Sequence, residues 1–320
     1  MNVLVTGGAG FIGSHLVESL LRRGDRVVVL DSFDPYYDPA RKRRTAALLA
    51  EAGAVVLEGD VRDRASVDQA LSGADKVVHL AARPGVRASM DDPGTTFDVN
   101  MRGLLVLLEA MRAGGPRALV SASSSSVYGG DATAPFREDQ PASRPLSPYA
   151  ASKRAAELLC ATYAQLFGIG SLALRFFTVY GPRGRPDMSI GRFVRAALVG
   201  EAVPLMGDGS AVRDFTYVDD IVAGLVRAVD LAAPGGGHEV LNLGGGSTHT
   251  MRELIATIEA ATGQPLRLDE RPPAPGDMHL THADLTRARA RLGFEPRVPL
   301  AEGIRRTTEW ARGELASIAR

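Results

Sequence analysis

Tyr149 and Lys153 form a candidate acid–base pair, because they lie four positions apart directly after Pro148. Proline favours the first turn of a helix, and helical residues four apart share a face. A free tyrosine has a pKa near ~10, so a tyrosine base at neutral pH needs roughly 4 kcal/mol of preferential phenolate stabilisation. The compact ammonium of Lys153 suits this role better than a guanidinium would. An ordinary exposed helix pair is the alternative interpretation.

A serine-rich segment, Ser121-Ala122-Ser123-Ser124-Ser125-Ser126, follows the apolar run Ala118–Val120. Ser124 is predicted to hydrogen-bond the reacting hydroxyl group and keep it aimed at Tyr149. Such a segment can also be a simple loop. The sequence therefore predicts Ser124, Tyr149 and Lys153 as catalytic residues.

A glycine-rich turn joins the first apolar run to a segment of helical period, in Thr6-Gly7-Gly8-Ala9-Gly10-Phe11-Ile12-Gly13. Gly7, Gly10 and Gly13 allow a tight turn, a close approach of the backbone to a pyrophosphate, and a helix packed close to the strand. The first two glycines are three apart, which differs from the commoner dinucleotide fingerprint. We expect Phe11 and Ile12 to line the same site, although such a turn can be purely structural.

Asp31 ends the second apolar run at the distance typical of a carboxylate that binds the adenosine ribose hydroxyls. An acid at this position disfavours a ribose phosphate, so NAD is predicted over NADP. The basic run Arg41-Lys42-Arg43-Arg44 could reach a phosphate or form a solvated helix face. The positive charge of an oxidised nicotinamide would add to the field that stabilises a Tyr149 phenolate.

Two further strand ends are candidates for the cofactor site. Asp60-Val61 is predicted at the adenine edge, and Leu80-Ala81-Ala82 is predicted to line the cofactor. Both groups could equally be ordinary strand-end residues.

Short apolar runs that alternate with longer segments of helical period predict the scaffold for these residues. Runs that are apolar at nearly every position are typical of strands covered on both faces. The sequence thus predicts an α/β fold with a Rossmann-type, doubly wound parallel sheet and ligands at the carboxyl ends of its strands. The six runs are Val3–Val5, Val27–Leu30, Val55–Leu57, Val77–Leu80, Ala118–Val120 and Leu172–Leu174.

After Gly181 the chain becomes richer in Gly, Pro and Arg, and its predicted elements become shorter. We expect an NAD-binding domain over residues 1–180 and a smaller, mixed α/β substrate-binding lobe over residues 181–320, with some chain crossing between them. The predicted strands of this lobe lie near Val203–Met206 and Glu239–Leu243. Its predicted helices begin near Met188, Val218, Met251, His282 and Pro299.

Composition narrows the class of protein. Apolar residues make up 45% of the chain, and 37 basic residues balance 37 acidic ones, which does not favour nucleic acid or an anionic membrane as partner. Cys160 is the only cysteine, so no intramolecular disulfide is possible, and no metal site is predicted. With a strand predicted from the first residues and no long apolar stretch, we expect a cytoplasmic protein.

Taken together, these motifs resemble the extended short-chain dehydrogenase/reductase family over essentially the whole chain, and its nucleotide-sugar 4-epimerases most closely. The resemblance implies that Asn100 contributes to the cofactor site and that the second lobe binds the UDP or dTDP part of the substrate. It also implies that Arg192, Arg213 and Asp277 hold the pyrophosphate and ribose. The resemblance rests on the glycine turn, Asp31, Asp60-Val61, Leu80-Ala81-Ala82, Asn100, the serine segment with Val127-Tyr128-Gly129, Tyr149 with Lys153, and Arg213-Asp214-Phe215 through Asp219-Asp220.

Three further stretches look like UDP-glucuronate 4-epimerases: Tyr36-Tyr37-Asp38-Pro39, Gly85-Val86-Arg87 and Arg183-Gly184-Arg185-Pro186-Asp187-Met188. Thr178 stands where many UDP-glucose epimerases carry asparagine. Ser125, Ser126, Thr178 and Arg185 are of the type that could hold a substrate carboxylate, and Arg87 is assigned to the substrate site with them. Arg185 could instead contact the diphosphate or a neighbouring loop.

The resemblance implies a reaction without net redox change. Tyr149 would remove the proton from the 4-hydroxyl of a UDP-sugar while hydride passes from C4 to NAD, and the 4-keto intermediate would then rotate and take hydride back on its other face. From a glucuronate, this intermediate is a β-keto acid that can lose carbon dioxide, so restraining its carboxylate would suppress a pentose by-product.

Several alternatives remain open. UDP-glucose 4-epimerase is the strongest, because it needs the same machinery without carboxylate recognition. A dTDP-sugar 4,6-dehydratase usually carries Asp-Glu where this chain has Ser125-Ser126, and a UDP-glucuronate decarboxylase usually carries glutamate at Ser126. A catalytically silent dinucleotide sensor would not need Tyr149 and Lys153 together.

Family resemblance also implies a homodimer through a helix bundle. The helices predicted from about Thr95 and Tyr149 carry many apolar positions, which could face a second subunit or the sheet. These positions include Leu104, Leu107, Leu108, Leu158, Leu159 and Phe167.

Overall fold

A parallel sheet flanked by helices forms the centre of the protein. The computed structural model describes residues 1–272 and 278–318. Its strands, in chain order, are β1 (Asn2–Thr6), β2 (Arg26–Asp31), β3 (Val55–Glu58), β4 (Lys76–His79), β5 (Ala118–Ser124), β6 (Gly170–Phe176), β7 (Val179–Tyr180), β8 (Ala202–Met206), β9 (Val212–Asp214), β10 (Thr216–Tyr217), β11 (His238–Leu243), β12 (Thr248–Thr250) and β13 (Arg267–Arg271).

The helices surround this sheet and build the second lobe. They are α1 (Phe11–Arg22), α2 (Pro39–Glu51), α3 (Arg64–Leu71), α4 (Val86–Asp91), α5 (Pro93–Phe97), α6 (Gly103–Arg112), α7 (Pro148–Phe167), α8 (Ser189–Val199), α9 (Val218–Leu231), α10 (Met251–Thr262), α11 (Thr286–Leu292) and α12 (Leu300–Ile318). A π-helical stretch, Asp98–Arg102, joins α5 to α6, and a 3₁₀ turn, Ser125–Tyr128, follows β5.

Seven of the strands pair side by side in the order β11-β6-β5-β4-β1-β2-β3, all parallel. Both faces are covered: Val3 and Val5 of β1 belong to one buried cluster, and Leu4 between them belongs to another. This confirms the predicted parallel sheet and all six predicted strands. The strand order reverses beside β1, which opens a crevice at the carboxyl ends of the strands.

Strand β11 lies in the large sheet, although it comes from beyond residue 180. It pairs with β6 over its full length, from His238 opposite Ser171 to Leu243 opposite Phe176. Its buried Leu241 and Leu243 complete one face of the core. The strand expected near Glu239–Leu243 in the second lobe thus belongs to the central sheet.

One predicted helix start was wrong. The segment expected to become helical near His282 is extended, and α11 begins only at Thr286. The Phe136 amide donates to the His282 carbonyl at 2.7 Å, and the Asp284 amide donates to the Phe136 carbonyl at 2.9 Å. These pairings use backbone groups that a helix would need internally, so tertiary contacts override the local pattern.

Helix α7 is well delimited by its sequence. Ser147 caps its start by accepting a hydrogen bond from the Ala150 amide, and Pro148 occupies its first turn. Gly168 ends the helix in the left-handed conformation. In the described part of the chain, none of the helices combines the length and apolarity that crossing a membrane requires.

Candidate active site

The glycine turn between β1 and α1 forms the floor of a cleft at the strand ends. Gly10 precedes α1, and no side chain caps this helix start, which leaves its amides facing the cleft. A Cβ at Gly13 would lie 2.3 Å from the Gly7 carbonyl oxygen, so helix and turn approach too closely for any side chain. The turn thus has the shape and polarity of a phosphate site.

Asp31 lies at the end of β2 beside this turn, almost fully buried. Its carboxylate accepts hydrogen bonds from the Ala9 amide at 3.1 Å and the Phe33 amide at 3.0 Å. Burial raises the pKa of this carboxyl, while the charge of Lys42 and the two amides act in the opposite direction. The remaining lone pairs are available to ribose hydroxyls.

The cleft brings together thirteen of the residues predicted for the cofactor. They are Gly7, Gly10, Phe11, Ile12, Gly13, Asp31, Asp60, Val61, Leu80, Ala81, Ala82, Tyr149 and Lys153.

Asn100, also assigned to the cofactor, lies behind the cleft wall. Its buried side chain accepts from the Arg83 amide at 2.7 Å and donates to Ser152 Oγ at 2.9 Å. Asn100 therefore ties the loop after β4 to α7. In the basic run on α2, Lys42 lines the cleft, whereas Arg41 pairs with Glu314 and Arg43 with Glu58.

Lys153 is buried one helical turn after Tyr149. Its Nζ donates to the Ala122 carbonyl at 2.9 Å and lies 6.0 Å from the centre of the Tyr149 ring. Burial lowers the pKa of Lys153 to about 8, although Cys160 and Glu157 act to raise it. Lys153 therefore stays mostly protonated at neutral pH. Burial also lowers the pKa of the neighbouring His79 to about 3, so that imidazole is neutral.

Tyr149 faces both a cation and a serine. Burial raises the pKa of its phenol above the ordinary value, while the positive charge of Arg185 and a hydrogen bond with Ser124 lower it. The Ser126 hydroxyl donates to Ser124 Oγ at 2.9 Å, which fixes the serine at the start of the 3₁₀ turn. Burial therefore favours the protonated phenol, and Arg185 is the cation that opposes this effect.

A second cleft adjoins the first, and Tyr149 and Arg185 line both. The other shared lining residues are Phe11, Ile12, Ser123 and Phe176. Among the residues predicted for the substrate and the reacting hydroxyl, Ser124, Ser125, Ser126, Thr178, Arg185 and Arg213 line this cleft. Arg87 is an exposed residue of α4, next to Gly85 and Val86 of the cleft wall, and Arg192 lies on α8; neither lines the cleft. Asp277 lies outside the described residues.

Three residues that support the predicted site were not singled out from the sequence. They are Asp187, Ser123 and Glu157. Asp187 binds the Arg185 guanidinium through two hydrogen bonds, of 3.0 and 2.8 Å. Ser123 donates to Glu157 at 2.6 Å, which fastens the end of β5 to α7. The Arg-x-Asp spacing and the position of Glu157 four residues after Lys153 are the signals that could have revealed these contacts.

Comparison with known proteins assigns the family. Residues 3–244 match the model of the NAD dependent epimerase/dehydratase family. The chain belongs to this family. UDP-glucuronate 4-epimerase 3 of Arabidopsis thaliana is 40% identical over an alignment 329 residues long, and the match covers 98% of this chain and 76% of that protein.

Solved structures of family members agree with this fold. The UDP-glucuronic acid 4-epimerase from Bacillus cereus, in complex with UDP-glucuronic acid and NAD, superposes with a TM-score of 0.92 at 34% identity, covering 98% of this chain and all of that one. The UDP-glucose 4-epimerase from Thermotoga maritima, with UDP-glucose, gives a TM-score of 0.88 at 33% identity, with 98% and 100% covered.

Substitution of Gly13 by alanine is predicted to weaken NAD binding by roughly 10- to 100-fold, because the new Cβ would force the phosphate turn out of shape. Bound NAD in the purified protein and its dissociation constant measure the effect. The control is Gly313→Ala in α12, where a Cβ meets nothing within 4 Å. Equal NAD binding by Gly13→Ala and wild type would contradict the assignment.

Proposed function

We propose that this protein is an NAD-dependent 4-epimerase of UDP-sugars that interconverts UDP-glucuronate and UDP-galacturonate. The observation that carries the proposal is the meeting of the two clefts at Tyr149 and Arg185, which places a candidate base beside a candidate carboxylate receptor. The similarity to UDP-glucuronate 4-epimerases over nearly the whole chain supports it. A cytoplasmic location is part of the proposal, in keeping with the one buried cysteine.

The first cleft fits NAD. The absence of side chains at Gly7 and Gly13 leaves the backbone open to a pyrophosphate at the start of α1, and the buried Asp31 carboxylate would accept hydrogen bonds from the adenosine ribose hydroxyls. A ribose phosphate at Asp31 would meet a like charge in a site shielded from water. When bound, NAD would supply the acceptor for hydride from C4 of the sugar and return that hydride, and its positive charge would add to the field that favours a Tyr149 phenolate.

Side chains of the protein transfer the proton of the sugar 4-hydroxyl. Ser124 hydrogen-bonds the sugar 4-hydroxyl and directs it toward Tyr149, which takes the proton and later returns it. Arg185 and Lys153 supply positive charge around a phenol whose pKa burial raises. The Ala122 carbonyl accepts a hydrogen bond from Lys153 Nζ and keeps the ammonium near the Tyr149 ring. Within the described residues, this ammonium forms no ion pair with a carboxylate.

The second cleft suits a uronate. Arg185 lines this cleft together with Ser125, Ser126 and Thr178, so a C5 carboxylate bound there would receive charge-assisted hydrogen bonds. Holding that carboxylate keeps its bond to C5 out of line with the C4 ketone and suppresses decarboxylation. Ser125 and Ser126 offer no acid or base for a 4,6-dehydratase, which separates this site from that class.

We also propose that the protein is a homodimer through α6 and α7. Leu104, Leu107 and Leu108 face inward and are buried against the sheet. Four large apolar side chains of α5, α6 and α7 face outward instead, with exposed fractions of 40% for Phe97, 42% for Leu105, 54% for Leu158 and 64% for Leu166. Exposed apolar side chains grouped on adjacent helices are typical of a protein interface.

The purified protein, without added cofactor, is expected to convert UDP-glucuronate to UDP-galacturonate with little UDP-pentose, as measured by chromatography of the products. Tyr149→Phe is expected to lower the rate by about 10²- to 10⁴-fold with NAD still bound, because only the proton acceptor is lost. Tyr163→Phe on the same helix is the matched control. Conversion of UDP-glucose alone would favour a UDP-glucose 4-epimerase, and inertness toward both sugars after NAD addition would favour the sensor.

Thr178→Ala and Arg185→Ala are expected to raise the fraction of UDP-pentose among the products several-fold, because the intermediate's carboxylate is then less restrained. The ratio of pentose to galacturonate after full conversion measures the effect. Arg195→Ala, an exposed arginine of α8, should leave the ratio at the wild-type value. An unchanged ratio in both site variants at normal turnover would count against carboxylate restraint.

Leu158→Glu and Leu166→Glu are expected to dissociate the dimer, because each would bury a charge in an apolar contact. Light scattering after size exclusion should report about twice 33.8 kDa for the wild type and a single chain for the variants. Leu48→Glu, at a leucine of α2 that is 58% exposed, is the control. A wild type of single-chain mass at micromolar concentration would refute the dimer.

A further inference from the structure

The segment after β2 is anchored over the junction of the two clefts. The Tyr36 amide and Arg83 Nη1 each donate to Asp34 Oδ1 at 2.8 Å, and the Arg83 guanidinium lies 4.7 Å from the centre of the Tyr36 ring. A Cβ at Gly85 would lie 2.7 Å from Tyr36 Oη, so this hydroxyl closely approaches the loop after β4. Tyr36 is therefore held by its contacts with Asp34 and Arg83 and by its close approach to Gly85.

Its third contact reaches across the chain. Tyr36 Oη donates a hydrogen bond to Asp187 Oδ2 at 3.1 Å. Asp187 binds Arg185 side-on, with Nε to Oδ1 at 3.0 Å and Nη2 to Oδ2 at 2.8 Å. The Arg185 guanidinium also lies 6.0 Å from the centre of the Tyr36 ring. A tyrosine of the cofactor half thus holds an ion pair of the substrate half.

This arrangement leaves one edge of the guanidinium for a ligand. Arginine has five N–H donors in a rigid fork, and Asp187 uses two of them. Arg185 lines both clefts, with 22% of its side chain exposed. An arginine side chain loses rotamer entropy when it is fixed, and here Asp187 and Tyr36 fix it before the substrate binds.

We propose that Tyr36 and Asp187 are positioning residues that aim Arg185 at the substrate carboxylate and thereby set the preference for a uronate over a neutral sugar. The inference rests on the proposed function, since it assigns a role to residues that support the carboxylate receptor. It also gives a role to Tyr36 of the Tyr36-Tyr37-Asp38-Pro39 segment, which lies outside the catalytic residues. Preorganisation of this kind raises affinity by lowering the ordering cost of binding.

The two residues differ in what their removal tests. Tyr36→Phe keeps the ring and all formal charges and removes one hydroxyl, so it isolates positioning. Asp187→Asn also removes a negative charge near the bound carboxylate, which by itself would favour binding. Because Asp187 is 39% exposed, solvent screens that repulsion, and the loss of the side-on pair is expected to dominate.

The experiment compares dissociation constants for UDP-glucuronate and for UDP, together with the UDP-pentose fraction during turnover. Tyr36→Phe is expected to weaken UDP-glucuronate binding about 3- to 10-fold and Asp187→Asn about 10- to 30-fold. UDP affinity and NAD content should stay at wild-type values, and the pentose fraction should rise. Asp139→Asn, which breaks an Arg137–Asp139 pair of the same spacing with 58% and 49% exposed side chains, should change nothing.

Equal losses for UDP and UDP-glucuronate would show a general structural role and overturn the inference. Unchanged affinity in both variants would also overturn it, as would tighter UDP-glucuronate binding by Asp187→Asn, which would mean that Asp187 competes with the substrate. These outcomes differ from failure of the proposed function, in which the wild type itself leaves UDP-glucuronate unconverted.

Discussion

The site depends on a buried ion pair between Glu157 of α7 and Arg175 of β6. The two side chains are almost fully buried and are joined by two hydrogen bonds of 2.8 Å each. Removing one partner of such a pair typically costs about 3–5 kcal/mol, because the other charge is left buried and unpaired. Glu157 also accepts from Ser123, so the pair fastens the end of β5 to the helix that carries Tyr149 and Lys153. Lys153 makes a second contact to the same strand end one helical turn away, at Ala122. The position of Ser124 relative to Tyr149 follows from these two contacts.

Local sequence patterns predicted the scaffold well, because they determine burial directly. Continuous apolar runs located six strands of the sheet, and Pro148 marked the start of α7. These patterns do not show which element packs or pairs with each buried strand or helix. Strand β11 has the same apolar character as a strand of a small sheet, and only its pairing with β6 places it in the large one. The segment at His282 likewise follows its contacts with Phe136 rather than its helical pattern. On α6 and α7, sequence showed apolar positions, whereas the structure shows which of them face the sheet.

The candidate site was predictable as a set of residues and less so as an electrostatic arrangement. Spacing on one helix revealed Tyr149 and Lys153, and the glycine turn revealed the nucleotide end. The influence of Arg185 on Tyr149 was not foreseen, because it depends on how the loop after β7 folds over the cleft. The contacts of Asn100 with Arg83 and Ser152 were not predicted for the same reason, because they join elements distant in sequence. Residues that bear chemistry are recognisable by type, but their supporting partners depend on tertiary structure.

The insertion of β11 beside β6 has a consequence for biosynthesis. Until residues 238–243 have left the ribosome, the growing chain presents β6 as an open edge, with a row of unpaired amides and carbonyls. Parallel pairing of segments so far apart in the chain is slow, because the entropy cost of closing a long loop comes before any stabilising contact forms. The nascent nucleotide-binding half is thus exposed to strand addition by other chains between the synthesis of β6 and that of β11. The two halves of the protein are interdependent in assembly as well as in catalysis.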